Sequence, residues 1–331
     1  MREMERISII GSGAWGTALA QIIANRGQSV TLWARRLELS ATINEKHENT
    51  ENLPGIPLNK EIRTTNDIRE AANAGIILLV CPAQAQRETL KSINSATKSN
   101  PVLVLCSKGI ELQTGLMMSE VAQEIMPGSP VCILSGPNFA REIASGQPAA
   151  TTLACADETL ARKIQESIGS PYFRPYITDD LTGVQIAGAL KNVIAIACGL
   201  AQGLGFGEST RASLVTRGMA EIVRLGCAMG ARAETFLGLS GMGDLMLTCS
   251  SLQSRNFSLG VALGEGKKLE DLRKNSRSVT EGVHTAEAGL SLAAKRKVEM
   301  PVTKAVHQCL NEGRKLDDAL KELLNRPFGT E

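Results

Sequence analysis

Between Leu181 and Gly207 the chain carries a single charged residue, Lys191, in the run GVQIAGALKNVIAIACGLAQGLGFG. An ammonium group flanked by Ala and Gly on both faces of a helix is difficult to solvate fully, and desolvation lowers its pKa toward the range useful for acid–base chemistry. A lysine that snorkels to water past small neighbours has the same pattern, so the spacing leaves both readings open. Downstream, Gly238-Leu239-Ser240-Gly241-Met242-Gly243-Asp244 ends a glycine-rich loop in a carboxylate. Such a group can approach a ligand hydroxyl or orient the Lys191 ammonium, and it can equally cap a helix. Ser254-Arg255-Asn256 places three polar donors side by side, which suits a phosphate or carboxylate clamp and also a solvated loop.

Near the N-terminus, Gly11-Ser12-Gly13-Ala14-Trp15-Gly16 follows Ile9-Ile10 and leads into Thr17-Ala18-Leu19-Ala20. G-x-G-x-x-G is weak evidence alone, but between a first strand and a first helix it is the Rossmann-type fingerprint for a dinucleotide. Gly11 permits the tight turn, Gly13 lets the backbone approach a pyrophosphate, and Gly16 lets helix and strand pack closely. The phosphates then sit at the positive end of the helix. A carboxylate that reads ribose hydroxyls is expected at the end of the second strand. The chain has Trp33-Ala34-Arg35-Arg36 there instead. Two guanidiniums without a carboxylate fit an adenosine 2′-phosphate, so NADPH is the expected cofactor and NADH the weaker alternative. A solvated start to the next helix accounts for the same Arg pair.

Two further loops carry polar groups. Ser107-Lys108-Gly109 lies past the end of one apolar run and Ser135-Gly136-Pro137-Asn138-Phe139-Ala140 past the next, where ligands bind in open α/β sheets. Both are expected to face the same cleft as Lys191.

Composition narrows the rest. Aromatic residues make up 3% of the 331 residues, which disfavours nucleic-acid binding by base stacking. Only His47, His284 and His307 are present, so a His-built metal centre is disfavoured and another residue type is expected to carry the proton. Lys+Arg 36 against Asp+Glu 34 leaves a formal charge of +2 with the signs interspersed, and no basic field for a polyanion. The eight cysteines never form C-x-x-C and sit mostly in apolar runs, as reduced thiols of a cytoplasmic protein do. Neither a signal peptide nor a bilayer-spanning segment is expected.

These groups need a scaffold. Apolar, β-rich runs near residues 7–10, 30–33, 62–64, 76–80, 102–106 and 131–135 alternate with helical patterns at 15–25, 37–45, 84–95 and 116–125, and 151–154 and 172–175 can add peripheral strands. The alternation predicts an α/β, doubly wound domain over residues 1–180. Beyond it only helical periodicity continues, clearest at 184–200, 213–229, 286–295, 303–312 and 316–325, and predicts an all-α domain over 181–331. A site in the cleft between two such halves is expected.

With these residues in hand, the chain resembles the bacterial NAD(P)-dependent glycerol-3-phosphate dehydrogenases. The stretches that carry the resemblance are GSGAWGTA, LPGI at 53–56, SKGIE at 107–111, SGPNFA, GALKNVIAIACG, RGMAEIVRLG, GLSGMGDLMLTC, QSRN and VTEGVHTA. They span nearly the whole chain. The resemblance implies that Lys191 accepts the proton of glycerol 3-phosphate oxidation and donates it in reverse, and that Lys108, Gly136, Asn138, Lys191, Asp244, Ser254, Arg255 and Asn256 contact the substrate. It further implies that Ala14, Trp15, Arg35, Lys108, Ala140, Arg255, Val279 and Glu281 contact the cofactor. Asn138 stands where the family usually has Ser or Thr, and Asn52 stands where a tyrosine is expected before LPGI.

The implied activity is reduction of dihydroxyacetone phosphate to sn-glycerol 3-phosphate, which feeds phospholipid synthesis. Two alternatives stay open on the residues alone: an NADPH-dependent reductase of another small keto or hydroxy acid, and a non-catalytic NADP sensor. The expected partner is a small molecule, without nucleic acid or membrane insertion, and the apolar helical half can support a homodimer.

Overall fold

Strands made almost entirely of apolar and β-branched residues are stable only where both faces are covered. In the computed structural model, which describes residues 6–275 and 281–325, the apolar runs become β1 (Ile7–Ile10), β2 (Val30–Trp33), β3 (Ile62–Thr65), β4 (Ile76–Leu79), β5 (Val102–Leu105), β6 (Val131–Ser135), β7 (Ala149–Cys155) and β8 (Phe173–Thr178). Every residue of β1, β4 and β5 is buried. Ile9, Leu32, Leu78 and Val104 pack on one face of the sheet with Leu19 and Ile23, while Ile10, Ile77, Leu79 and Leu105 pack on the other with Leu90 and Ile93.

One sheet holds the strands in the order β3-β2-β1-β4-β5-β6-β7-β8. It is parallel from β3 through β6, turns antiparallel at β7, and returns to parallel pairing at β8. This is the expected doubly wound architecture, with the two additional strands at one edge. The winding reverses between β1 and β4, the place where such sheets bind ligands.

Helices Ile68–Ala72, Ala140–Ala144 and Glu158–Ile168 interrupt the alternation where no helix is expected. Two of them are single short turns, too brief to show periodicity. The third is started by Asp157, whose carboxylate accepts a hydrogen bond from the Leu160 N–H at 3.1 Å, and it buries only Ala161, Ile164 and Ile168.

Contacts divide the chain into two compact units. The first takes residues up to Lys108 together with Leu116–Val184, and the second takes Gly109–Gly115 together with the residues from Gln185 onward. Helices Leu181–Gly203, Glu208–Ala228, Glu281–Arg296, Pro301–Asn311 and Leu316–Leu324 correspond to the expected ones, and Asp244–Cys249, Arg255–Gly264 and Leu269–Asn275 are additional. Leu181–Gly203 has the length and hydropathy to cross a bilayer, but its apolar stretch is wholly buried in the fold, as befits a core helix.

Close packing around that helix depends on glycine. A Cβ on Gly199 would lie 2.1 Å from the Phe257 carbonyl oxygen, one on Gly203 2.3 Å from that of Val261, and one on Gly260 2.3 Å from that of Ile196. The two helices therefore meet backbone to backbone. Elsewhere in the unit, the buried Glu221 carboxylate accepts from the Val302 N–H at 2.5 Å, the Thr303 N–H at 3.1 Å and the Thr303 hydroxyl at 2.9 Å. It satisfies the open N-terminus of the Pro301–Asn311 helix from the Glu208–Ala228 helix. Burial pushes its carboxyl above the usual carboxylate range, against the pull of those hydrogen bonds.

Candidate active site

The glycine turn after β1 has the shape that a dinucleotide requires. Gly11 has φ +122°, and a Cβ there would lie 2.5 Å from the Val80 carbonyl oxygen at the end of β4. A Cβ on Gly16 would lie 1.9 Å from the Gly11 carbonyl oxygen, so any side chain would break the strand–helix junction. Gly13, the residue before the Ala14–Ala24 helix, has nothing within 4 Å of the place its Cβ would take. That open cradle in front of a helix N-terminus fits a pyrophosphate. Trp15 meets Phe173 edge to face at 6.3 Å between ring centroids. Arg35 is exposed, with no ion-pair partner among the described residues, whereas Arg36 is bonded to Glu51, whose carboxylate raises the guanidinium pKa further. Of the two guanidiniums, Arg35 is the one left available.

Also in the first unit, the Lys108 ammonium donates to the Gly136 carbonyl oxygen at 3.4 Å. Gly136 leaves no room for a side chain, because a Cβ would stand 2.8 Å from Thr151 and 3.2 Å from Asn138 Nδ2. Thr151 fixes the loop by donating from its hydroxyl to the Ser135 carbonyl oxygen at 3.0 Å. Asn138 Oδ1 is buried with no hydrogen-bond partner among the described residues. A buried acceptor left open costs about 1–3 kcal/mol, so a donor from a ligand is the natural complement to it. Ala140 starts the next short helix. Thus Lys108, Gly136 and Asn138 form one cluster.

In the second unit, Lys191 and Asp244 come together. Lys191 is 7% exposed and Asp244 1%. The ammonium donates to Asp244 Oδ1 at 2.5 Å and to the Thr248 hydroxyl at 2.8 Å, and that hydroxyl in turn donates to the Asp244 carbonyl oxygen at 2.6 Å. Lys191 is therefore held in the interior by a charge partner and does not snorkel past small neighbours. Asp244 serves as that partner in place of a helix cap. The loop that delivers it, Leu239–Gly243, is a single π-helical turn, an irregularity often found at functional sites. Gly241 makes the turn possible, since a Cβ there would lie 2.1 Å from the Phe236 carbonyl oxygen. A buried ammonium with its proton directed at a carboxylate is equipped to exchange a proton with a substrate oxygen.

Ser254, Arg255 and Asn256 do not act alike. The Ser254 hydroxyl accepts from the Phe257 N–H at 3.3 Å and caps the Arg255–Gly264 helix. Asn256 is buried, donates to Asn192 Oδ1 at 3.0 Å and accepts from the Gly282 N–H at 3.1 Å. It ties the neighbour of Lys191 to the start of the helix that begins with Glu281. Arg255 alone is exposed, at the first position of its helix, where its charge and the helix N-terminus both favour an anion. Val279 lies outside the described residues. Thr248 and Asn192 are partners of the candidate residues that the sequence does not single out, because only the folded helices bring them to Lys191 and Asn256.

Two family models match this chain. One, described as NAD-dependent glycerol-3-phosphate dehydrogenase N-terminus, covers residues 6–161, and the corresponding C-terminus model covers residues 180–321. A glycerol-3-phosphate dehydrogenase [NAD(P)+] from Parvibaculum lavamentivorans is 52% identical over 98% of this chain and 98% of its own. One of the same description from Rhodospirillum rubrum is 50% identical over 99% of this chain and 94% of its own. Among solved structures, glycerol-3-phosphate dehydrogenase from Coxiella burnetii superposes with a TM-score of 0.93 at 34% identity, covering 97% of this chain and 99% of its own.

Proposed function

The chain belongs to the NAD-dependent glycerol-3-phosphate dehydrogenases, and from that premise we propose how its residues divide the work. The protein is an oxidoreductase that interconverts dihydroxyacetone phosphate and sn-glycerol 3-phosphate with NAD(P)H. Family membership over nearly the full length decides against the reductase of another acid and against the non-catalytic sensor.

The observation that carries the mechanism is the buried Lys191–Asp244 pair. When bound, the reduced nicotinamide supplies a hydride to C2 of the ketone. Lys191, as ammonium, gives a proton to the oxygen that becomes the C2 hydroxyl, and takes it back in oxidation. Asp244 and Thr248 hold the lysine in one rotamer and compensate its charge, so little reorganisation accompanies the transfer. Arg255 binds the substrate phosphate at the N-terminus of its helix, while Ser254 and Asn256 fix that terminus. Lys108 and Asn138, with Gly136 between them, supply further polar contacts to the substrate, and Lys108 also contacts the cofactor.

The turn at Gly11, Gly13 and Gly16, with Ala14 and Trp15, holds the cofactor pyrophosphate, and Ala140, Arg255, Val279 and Glu281 complete the cofactor contacts. Arg35 reads the adenosine 2′-phosphate and makes NADPH the preferred cofactor over NADH; Arg36, tied to Glu51, stands beside it. The eight free cysteines, six of them buried, suit a reducing cytoplasm. There the product supplies phospholipid synthesis, and the apolar helical part pairs two copies into a homodimer.

Absorbance at the nicotinamide band, followed with dihydroxyacetone phosphate and either NADPH or NADH, tests substrate, reaction and preference together. Oxidation of NADPH faster than NADH at equal low concentration is expected. Absence of any oxidation of either cofactor that depends on dihydroxyacetone phosphate would overturn the assignment.

A further inference from the structure

Asn49 lies well outside the glycine turn in sequence, yet it is 0% exposed and bonded to that turn. Its amide donates to the Ser12 carbonyl oxygen at 2.8 Å and to the Thr17 hydroxyl oxygen at 2.8 Å. Asn52 adds a second amide donor to the same Ser12 oxygen at 3.1 Å, and the Thr17 hydroxyl approaches it at 3.4 Å. The two asparagines are themselves joined, because Asn49 Oδ1 accepts from the Asn52 N–H at 3.1 Å. Three side-chain donors thus converge on one backbone carbonyl, and it lies inside the G-x-G-x-x-G turn.

The consequence follows from peptide geometry. The Ser12 C=O and the Gly13 N–H belong to one planar trans peptide and point in opposite directions. Drawing the carbonyl toward Asn49, Asn52 and Thr17 sends the Gly13 N–H the other way. Gly13 precedes the Ala14–Ala24 helix, and nothing lies within 4 Å of the place its Cβ would take. Glycine does not hold such an orientation by itself, since it is the residue with the widest choice of backbone angles.

We propose that Asn49, assisted by Asn52, is a positioning residue for the cofactor: it locks the Ser12–Gly13 peptide so that the Gly13 N–H is preset for a pyrophosphate oxygen. This rests on the assignment of the turn to NAD(P) binding. It also gives Asn52 a task distinct from that of the tyrosine the family pattern suggests. Preorganisation of this kind acts on the affinity for the cofactor and leaves the proton-transfer machinery untouched.

The experiment compares full-length wild type, N49A and N52A by steady-state kinetics, by calorimetric titration with NADPH and NADH, and by thermal unfolding. Asn52 is exposed, so N52A removes a donor without opening a cavity in the core. Loss of one hydrogen bond to the turn corresponds to a change of about tenfold in affinity. We expect the cofactor Kd and KM to rise about tenfold in N49A and about threefold in N52A, with kcat at saturating cofactor and the KM for dihydroxyacetone phosphate within about twofold of wild type. Unchanged cofactor Kd in both variants, with wild type binding normally, overturns the positioning role alone. So does an N49A defect that appears equally in kcat, both KM values and Tm while N52A matches wild type, because that is the signature of a packing residue. Failure of wild type itself to bind NADPH or NADH overturns the cofactor assignment together with the role built on it.

Discussion

Lys191 Nζ and Asp244 Oδ1 stand 2.5 Å apart although the residues are separated by 53 positions in the chain, and both side chains are withdrawn from solvent. Helix Leu181–Gly203 brings the one and a π-helical turn the other. Replacing the lysine by methionine keeps the length of the side chain and removes the proton. K191M is expected to lower kcat by about 100- to 10,000-fold, the usual share of general acid–base catalysis, with little change in the KM for the cofactor. Steady-state rates with dihydroxyacetone phosphate check it, and near-normal turnover would remove Lys191 from the chemistry.

The same pair makes a prediction about stability. D244A strands a buried ammonium and is expected to cost about 3–5 kcal/mol, whereas K191M/D244A, which removes both charges, is expected to be more stable than D244A. Denaturant unfolding of the two single variants and the double variant closes the cycle. Additive losses would mean that the two charges do not compensate each other.

Arg35 is exposed and has no ion-pair partner among the described residues, so its loss should affect ligand recognition and leave folding intact. R35A is expected to raise the KM for NADPH about tenfold and to leave that for NADH nearly unchanged, because only NADPH carries the 2′-phosphate. Equal effects on both cofactors would count against this assignment.

Glu221 gives a pH signature. Its carboxyl is pushed upward in the folded protein, chiefly by burial, so folding takes up a proton between the ordinary Glu value and the raised one. The stability linked to this group is fully present below the ordinary value and declines as pH rises through the raised value. E221Q cannot titrate, and its amide N–H₂ faces backbone donors at a cost of about 1–3 kcal/mol. Chemical denaturation across mildly acidic to neutral pH should show E221Q less stable throughout, with the gap to wild type narrowing as pH rises. A gap that widens would reverse the sign assigned to burial.

The meeting of Gly199 and Gly260 leaves no space for a methyl group. A Cβ on Gly260 would stand 2.3 Å from the Ile196 carbonyl oxygen, which belongs to backbone and cannot swing aside. G260A is expected to lower stability by about 1–3 kcal/mol or more through overpacking, and to disturb Asn256 on the same helix. Comparison with G266A, where a Cβ would meet nothing within 4 Å but φ is +91°, separates packing from backbone strain.

What could be read directly from the residues was what is local or conspicuous by isolation. The glycine turn between β1 and its helix occupies six successive positions, and its context names its ligand class. Lys191 stood out as the lone charge in a buried helix. Contacts made across long stretches of chain could not be read in that way. Thr248 and Asn192 look like ordinary helix residues until packing sets them beside Lys191 and Asn256. Ser254 and Asn256 read as ligand donors in a loop because the helix they begin was not evident, and once it is present the first is its cap and the second a tie between helices. Asn49 carries no signal at all in isolation, since its partner is a backbone carbonyl.

The small segment Gly109–Gly115 changes how the molecule can be taken apart. Because it belongs with the residues from Gln185 onward while both its flanks belong to the sheet-bearing unit, the chain passes between units three times. No single cut liberates either one intact. A fragment ending near Val184 would carry seven residues bereft of their companions, and the complementary fragment would lack them. Lys108 is the last residue before the first of these passages, and its ammonium bonds back to Gly136 within the sheet-bearing unit. Studies of either half by itself would therefore need a rejoined chain with that loop transplanted, and simple truncation should yield two poorly folded products.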